Sequence, residues 1–295
     1  MEFVTVNPAT GREIRSWRTM ETDEVLAVAG LTDEAFGPWG RLSVAERVPY
    51  FETLATVLRD NRDRWAALIT TEMGKPITEA RAEIEKCAWV TEVYAENAPR
   101  WLADEEVAAD GLRHRVVFQP LGVVFSIMPW NYPFWQARRF AVPGLLAGNT
   151  SLLKHARNVT GCAFAIEEAF VQAGFPAHVF RTIVPDYETV SRLIADDRIQ
   201  GVSLTGSTQV GRHIGAEAGR HLKKVVLELG GSDPVIVLDD ADLDSTVDGA
   251  VTGRMLTAGQ SGIASKRFIV DEKIAEEFTT RFTASMNRLK VGDPL

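Results

Sequence analysis

The sequence is poor in cysteine and in long apolar runs. It has two cysteines among 295 residues, Cys87 and Cys162, in distant segments with helical apolar spacing. This excludes a disulfide framework and a CxxC metal site, and we expect both thiols to be buried in packing. No apolar run approaches the about 18 residues that a membrane-spanning helix requires. The first residues also lack the basic and apolar stretches of a signal peptide, so the cytoplasm is the expected compartment.

Positive charge is also scarce. Lys and Arg number 32 against 40 Asp and Glu, which gives a formal net charge of -8. Non-specific affinity for nucleic acid is built from clustered Lys and Arg, so a broad phosphate-binding face is not expected. The expected partner is a small molecule, met at a local site, and neither nucleic acid nor a membrane.

The chain changes its periodicity near Arg115. Roughly the first hundred residues are interpreted as a helical layer, in which Ser43 and Glu46 have the spacing of a capping box. Beyond Arg115, helix-length amphipathic segments separate short apolar runs: VVFSIM (123–128), TSLLK (150–154), VFRTIV (179–184), GVSLTG (201–206), KVVLELG (224–230) and PVIVL (234–238). This alternation predicts an α/β fold with a doubly wound parallel sheet. Two more helix-like stretches, around 241–256 and 273–289, bracket the strand-like run RFIV.

Such sheets bind ligands at the carboxyl ends of their strands. The loop PWNYP follows VVFSIM and places the side-chain amide of Asn131 there, where it can hold an oxyanion. A rigid turn explains the two prolines of this loop equally well. Lys154 ends TSLLK; it is either solvated or suited to a ribose or phosphate.

Two further strand ends carry polar groups. LTGSTQVG offers Gly206 and Ser207 between a strand and a helix, an arrangement that can cradle phosphate, with ordinary turn-and-cap chemistry as the alternative. It is not a Walker A loop, because Gly211 is followed by Arg and His. Glu228 precedes two glycines; it is either a partly buried general base with a raised pKa or a paired surface carboxylate.

These motifs together resemble the aldehyde dehydrogenase superfamily. PWNYP, LLK, LTGSTQVG, ELGGSDP and GQSGIASKRFIV occur in its order and approximate spacing, and the similarity extends over the whole chain. LLKHARNVTGCA is most similar to bacterial succinate-semialdehyde dehydrogenases. In that family a cysteine thiolate attacks the aldehyde, hydride passes to NAD or NADP, and water hydrolyses the thioester.

The resemblance implies a role for each strand-end residue. Asn131 becomes the oxyanion donor and Glu228 the base for the deacylating water. The cofactor is implied to lie along Trp130, Lys154, Gly206 and Ser207. Residues 1–232 correspond to N-terminal helices and a Rossmann-like NAD(P)-binding domain, and residues 233–295 to the start of an incomplete catalytic domain.

Selectivity is assigned to two arginines. In NAD-preferring relatives a glutamate three residues after the lysine binds the ribose 2′-hydroxyl, but here that residue is Arg157, which favours NADP. Arg139, eight positions after Asn131, corresponds to a carboxylate-binding arginine for succinate semialdehyde. Arg138 beside it must point about 100° away around the helix, so it is expected to face solvent or a carboxylate. Surface or interdomain ion pairs remain the alternative for both Arg138 and Arg139.

The sequence departs from the family at the nucleophile. The pattern Asn-x-Gly-Gln-x-Cys reads Thr257-Ala258-Gly259-Gln260-Ser261-Gly262, and the downstream residues stay in register. Glycine offers no nucleophile, and a serine hydroxyl has too high a pKa to replace a thiolate.

The chain is also expected to lack the segments that follow VGDPL in relatives, including a strand used in the family's homo-oligomers. We therefore expect an aldehyde dehydrogenase by descent, impaired or inactive as written. The alternative is a non-catalytic protein that binds the cofactor or a partner. A nucleotide hydrolase is disfavoured because the Walker A lysine is missing.

Overall fold

The computed structural model describes residues 1–295, which form two units, Met1–Leu229 and Gly230–Leu295. None of its helices is both long and apolar enough to cross a membrane.

The chain begins with a β-hairpin, so the expectation of helices from the first residues was wrong. Strands β1 (Glu2–Val6) and β2 (Glu13–Arg18) pair antiparallel. The turn between them is closed by Asn7, whose carbonyl accepts from the amide of Gly11 at 2.8 Å. Gly11 adopts a left-handed φ of 68°, which glycine enters without strain. The hairpin is fixed to the rest of the unit where Trp17 stacks on Phe164.

A helical layer follows, as predicted. Its four helices are α1 (Thr22–Arg41), α2 (Val44–Asp60), α3 (Arg62–Met73) and α4 (Ile77–Trp101). The predicted capping box is confirmed: the Ser43 hydroxyl accepts from the Glu46 amide, and the Glu46 carboxylate accepts from the Ser43 amide. A second, exposed hairpin, β3 (Glu105–Val107) and β4 (His114–Val116), then leads to the sheet.

The predicted doubly wound parallel sheet is confirmed. Its five strands are β5 (Val123–Met128), β6 (Thr150–His155), β7 (Phe180–Ile183), β8 (Ile199–Thr205) and β9 (Lys224–Glu228), in the spatial order β7-β6-β5-β8-β9. The helices between them are α5 (Pro133–Leu146), α6 (Thr160–Gln172), α7 (Tyr187–Ala195) and α8 (Thr208–Arg220). The chain reverses direction across the sheet between β5 and β8, and the carboxyl ends beside such a reversal form a crevice.

Side chains alternate between the two faces of the sheet and build two cores. Met128 and Leu153 pack with α2–α6 on one face, whereas Phe125 and Ile127 pack with α1, α7 and α8 on the other. Cys87 and Cys162 are fully buried free thiols in the first core, as predicted.

The second unit has a two-stranded parallel sheet with helices on one face. Strands β10 (Pro234–Val237) and β11 (Arg267–Val270) pair, and helices α9 (Leu243–Met255) and α10 (Ala275–Asn287) cover the buried side around Val237 and Phe278. The paired residues Ile236 and Ile269 are 65% and 52% exposed, so the other face of this sheet is open.

Candidate functional site

The predicted site residues of the first unit gather at the carboxyl edge of its sheet. Asn131 lies in the loop between β5 and α5, and Lys154 lies next to the last residue of β6. Gly206 and Ser207 follow β8, and Glu228 ends β9. The strands are parallel neighbours, so all these positions meet at one edge.

Helix α5 and the adjoining strands line an open groove of about 400 Å³. Arg139 and Glu228 both line it, and their guanidinium and carboxylate lie 3.9 Å apart. Their side chains are 40% and 57% exposed, so Glu228 matches the predicted alternative of a paired surface carboxylate and not that of a partly buried base. Sequence reasoning missed the other wall residues, above all Gln136, one turn before Arg139 on the same face of α5, and Met128.

The two adjacent arginines of α5 face different surroundings. Arg138 is fully buried, with its guanidinium 4.3 Å from the centre of the Phe170 ring and 3.4 Å from the carbonyl of Ile166. Burial lowers the pKa of Arg138 to about 10. The expectation that the second arginine meets solvent or a carboxylate was therefore wrong. Of the two arginines, only Arg139 is available to a ligand in the groove.

A pair of cations lies at the end of β6. Lys154 and Arg157 line a small cavity of about 10 Å³ together with Thr160 and Val184. Burial, and then the charge of Arg157, lower the pKa of Lys154. The Arg157 guanidinium does not point freely into solvent, because it lies 5.2 Å from the centre of the Phe3 ring in the first hairpin. Two like charges held together in a half-buried place favour an anion between them.

The segment after β8 has the geometry of a helix cap. Ser207 is the N-cap of α8, where its hydroxyl accepts from the amide of Val210 at 3.3 Å. The amide of Gly206 donates to the Glu228 carbonyl at 3.0 Å, which ties the ends of β8 and β9 together. Ser207 thus has the turn-and-cap role that was the predicted alternative to a phosphate-binding role. The free amides of the first turn of α8 still point to the sheet edge, where an anion is favoured.

Sequence reasoning also missed two buried glutamates that bind helix N-termini. Glu72 accepts from the amides of Gly161 and Cys162, at 2.8 and 2.9 Å, at the start of α6. Glu83 does the same for α5, next to the PWNYP loop. Burial raises the pKa of both carboxyls. A charge at a helix N-terminus is a recognisable pattern, but here each carboxylate comes from another helix, which no local spacing reveals.

Gly262 lies in the second unit, exposed, on the loop between α9 and β11. A Cβ built on it would meet no atom within 4 Å, so the position has room for a side chain. The Lys266 ammonium donates to the carbonyls of Gly262 and Gly231, each at 2.9 Å, and fixes this loop to the start of the unit.

Comparison with known proteins places the chain in a family. The model of the aldehyde dehydrogenase family matches residues 1–295. A probable NADP(+) succinate-semialdehyde dehydrogenase of Synechocystis is 49% identical over 294 residues, covering 100% of this chain and 65% of that protein. The succinate semialdehyde dehydrogenase [NAD(P)+] Sad of Escherichia coli is 44% identical over 291 residues, covering 99% of this chain and 63% of that protein.

A solved structure gives the same result. The succinic semialdehyde dehydrogenase of Streptococcus pyogenes, crystallised with NADP+, superposes with a TM-score of 0.97 at 35% identity, over 99% of this chain and 65% of that one. The chain belongs to the aldehyde dehydrogenase family. It spans about 65% of the length of the relatives that it matches.

Proposed function

We propose that this chain carries the cofactor-binding and substrate-positioning portion of a succinate-semialdehyde dehydrogenase, and that it does not oxidise aldehydes as written. In this proposal residues 1–232 are the N-terminal helices and NAD(P)-binding domain, and residues 233–295 are the start of the catalytic domain. The observation that carries the substrate assignment is Arg139, half-exposed in the groove beside Glu228. At 3.9 Å their contact is longer than a hydrogen bond, and such an exposed pair contributes little. The guanidinium therefore remains free to grip the distal carboxylate of a four-carbon semialdehyde.

The donor set at the sheet edge fits NADP. Lys154 and Arg157 would hold the 2′-phosphate, because no carboxylate neutralises either of them by a direct ion pair. The N-terminus of α8, with Gly206 and Ser207, would hold the diphosphate, and Trp130, 37% exposed, would border the cofactor. When bound, NADP supplies the hydride acceptor. The relatives from Synechocystis and Escherichia coli are named for NADP(+) and NAD(P)+, which supports this choice.

The chain's own residues have distinct tasks in this proposal. Asn131 donates its amide hydrogen bond to the aldehyde oxygen as negative charge develops. Glu228 takes the proton of the deacylating water. Gly262 occupies the place of the cysteine nucleophile, and loss of one member of a catalytic unit commonly costs on the order of 10⁴–10⁶ in rate.

Gly262 also supports a second candidate, a protein that binds cofactor without turnover. Titration of the unmodified chain with NADP+ and NAD+, followed by an assay of NADPH formation from succinic semialdehyde, separates the two. Binding without turnover is the expected result. Robust NADPH formation by the unmodified chain would overturn the assignment of Gly262 and require another nucleophile.

The substrate assignment needs an active form. We define the chimaera as this chain with Gly262→Cys, extended by the C-terminal third of the Synechocystis relative. Arg139→Ala in the chimaera is expected to lower kcat/KM for succinic semialdehyde by roughly 10- to 100-fold, since a hydrogen bond to a charged group contributes about 1.5–3 kcal/mol. Butanal has no carboxylate and should be unaffected. An equal loss with both aldehydes would remove the main support for the substrate.

A further inference from the structure

A buried ion pair lies directly behind the PWNYP loop. Lys75, between α3 and α4, bonds Glu83 of α4, and their side chains are 0% and 2% exposed. The other carboxylate oxygen of Glu83 accepts from the amides of Phe134 and Trp135, each at 2.9 Å. A single carboxylate thus joins a buried cation to the first turn of α5.

This contact completes the N-terminus of α5. The first helical residue, Pro133, has no amide hydrogen to satisfy, and the Gln136 amide already donates to the carbonyl of Tyr132 at 2.9 Å. The two amides between these positions belong to Phe134 and Trp135, and both donate to the Glu83 carboxylate. The first turn therefore depends on a side chain from another helix.

Two more contacts reach the same segment from other elements. The Lys75 ammonium lies 3.7 Å from the centre of the Tyr132 ring. The Nε2 atom of His155, at the end of β6, lies 2.9 Å from the carbonyl of Pro133. Lys75, Glu83 and His155, which we call the loop clamp, thus contact each of the four residues that follow Asn131.

The energetics indicate a geometric task. A buried ion pair gains little over a well-packed apolar pair, because desolvation offsets the attraction. Its fixed hydrogen bonds do restrict where the α5 N-terminus lies. We propose that Glu83, held by Lys75, is a positioning residue that fixes the Asn131 loop for oxyanion binding. This inference rests on the proposed role of Asn131.

The unmodified chain allows a first test. In α3, whose N-cap makes no side-chain hydrogen bond, the matching amides belong to Asp63 and Arg64. Amide exchange measured by NMR should be at least about 100-fold slower at Phe134 and Trp135 than at Asp63 and Arg64. If the amides at the starts of α3 and α5 exchange equally fast, the proposed clamp is refuted, and no variant is needed to show it.

A matched pair of double variants separates positioning from stability. Lys75→Met with Glu83→Gln keeps an acceptor oxygen, whereas Lys75→Met with Glu83→Leu removes it, and both are neutral. Only the leucine variant should expose the amides of Phe134 and Trp135 and shift the ¹⁹F signal of 5-fluorotryptophan at Trp130, assigned with Trp130→Phe. Unchanged exchange and spectra in a folded leucine variant would overturn the proposal.

The same pair in the chimaera tests the catalytic consequence. A misplacement of about 1 Å can cost roughly 100-fold in rate, so the leucine variant should lose about 100-fold in kcat, with KM and the affinity for NADP+ within twofold. The glutamine variant should lose far less. Equal losses in both variants would contradict positioning by the acceptor oxygen. If the parent chimaera shows no turnover, the proposed function fails, while amide exchange in the chain still decides whether the clamp exists.

Discussion

Thr257 lies in a backbone conformation that its side chain disfavours. Its φ and ψ are 57° and 42°, and Ala258 and Gly259 continue the left-handed path with φ of 53° and 79°. This region costs an ordinary L-residue about 1–2 kcal/mol, with β-branched residues worst placed, whereas asparagine enters it more readily. Asparagine is also the residue that the resemblance to the family implies at this position. Thr257→Asn should therefore stabilise the unit Gly230–Leu295 by about 1 kcal/mol.

The assay must observe the second unit itself. The last of the seven tryptophans is Trp135, so intrinsic fluorescence reports only on the first unit. Amide exchange in β10 and β11 should slow by about fivefold in Thr257→Asn, the factor that corresponds to about 1 kcal/mol. Thr252→Asn is the control for the change of residue type alone, because Thr252 lies in regular α9, although it is exposed where Thr257 is buried, and Thr and Asn have similar helix propensities. If the two variants exchange alike, the strain argument is refuted.

Three further predictions concern the cofactor edge, the nucleophile loop and pH. Phe3→Ala removes the contact to Arg157 and should weaken NADP+ binding by a factor of about 2–5 in fluorescence titrations. The affinity for NAD+ should not change, and an equal loss of affinity for both cofactors would contradict this prediction. Gly262→Cys should leave the free energy of unfolding nearly unchanged and add one thiol that reacts with Ellman's reagent in the native chain. Cys87 and Cys162 should stay unreactive, because burial raises the pKa of both thiols. Burial lowers the pKa of His155 to about 4, below its unfolded value of about 6.5. The neutral imidazole therefore contributes roughly 3 kcal/mol to the free energy of unfolding above pH 6.5, and this contribution is lost as the pH falls from 6.5 to 4. Urea titrations across this range should show a flatter profile in His155→Gln; an unchanged profile would rule His155 out.

The sheet was predictable because its signal is local. Each strand is a short apolar run, and all the runs beyond Arg115 became strands within a few residues of their predicted bounds. Parallel pairing then follows from the intervening helices, and it brings Asn131, Lys154, Ser207 and Glu228 to one edge without any knowledge of side-chain contacts. The resemblance to a family added the roles of these residues, which their spacing alone left open.

The missed features depend on contacts between distant segments. Glu72 and Glu83 look like solvated helix residues in the sequence, yet both are buried because amides from α6 and α5 bind them. Arg138 and Arg139 could be assigned to different faces of α5, but which face was buried depends on Phe170. The first hairpin did carry a local signal, since NPATG separates two short alternating runs, and this signal was overlooked.

The first hairpin has a practical consequence for handling the protein. Phe3 supports Arg157, and the carbonyl of Met1 accepts from the amide of Thr19 at 2.8 Å, so the first residues are part of a folded element. An affinity tag fused directly to Met1 would begin two residues before Phe3, which contacts Arg157 of the predicted 2′-phosphate site. Its histidines and linker could then compete with or occlude the nucleotide, and NADP+ affinities measured on tagged material would differ from those of cleaved protein.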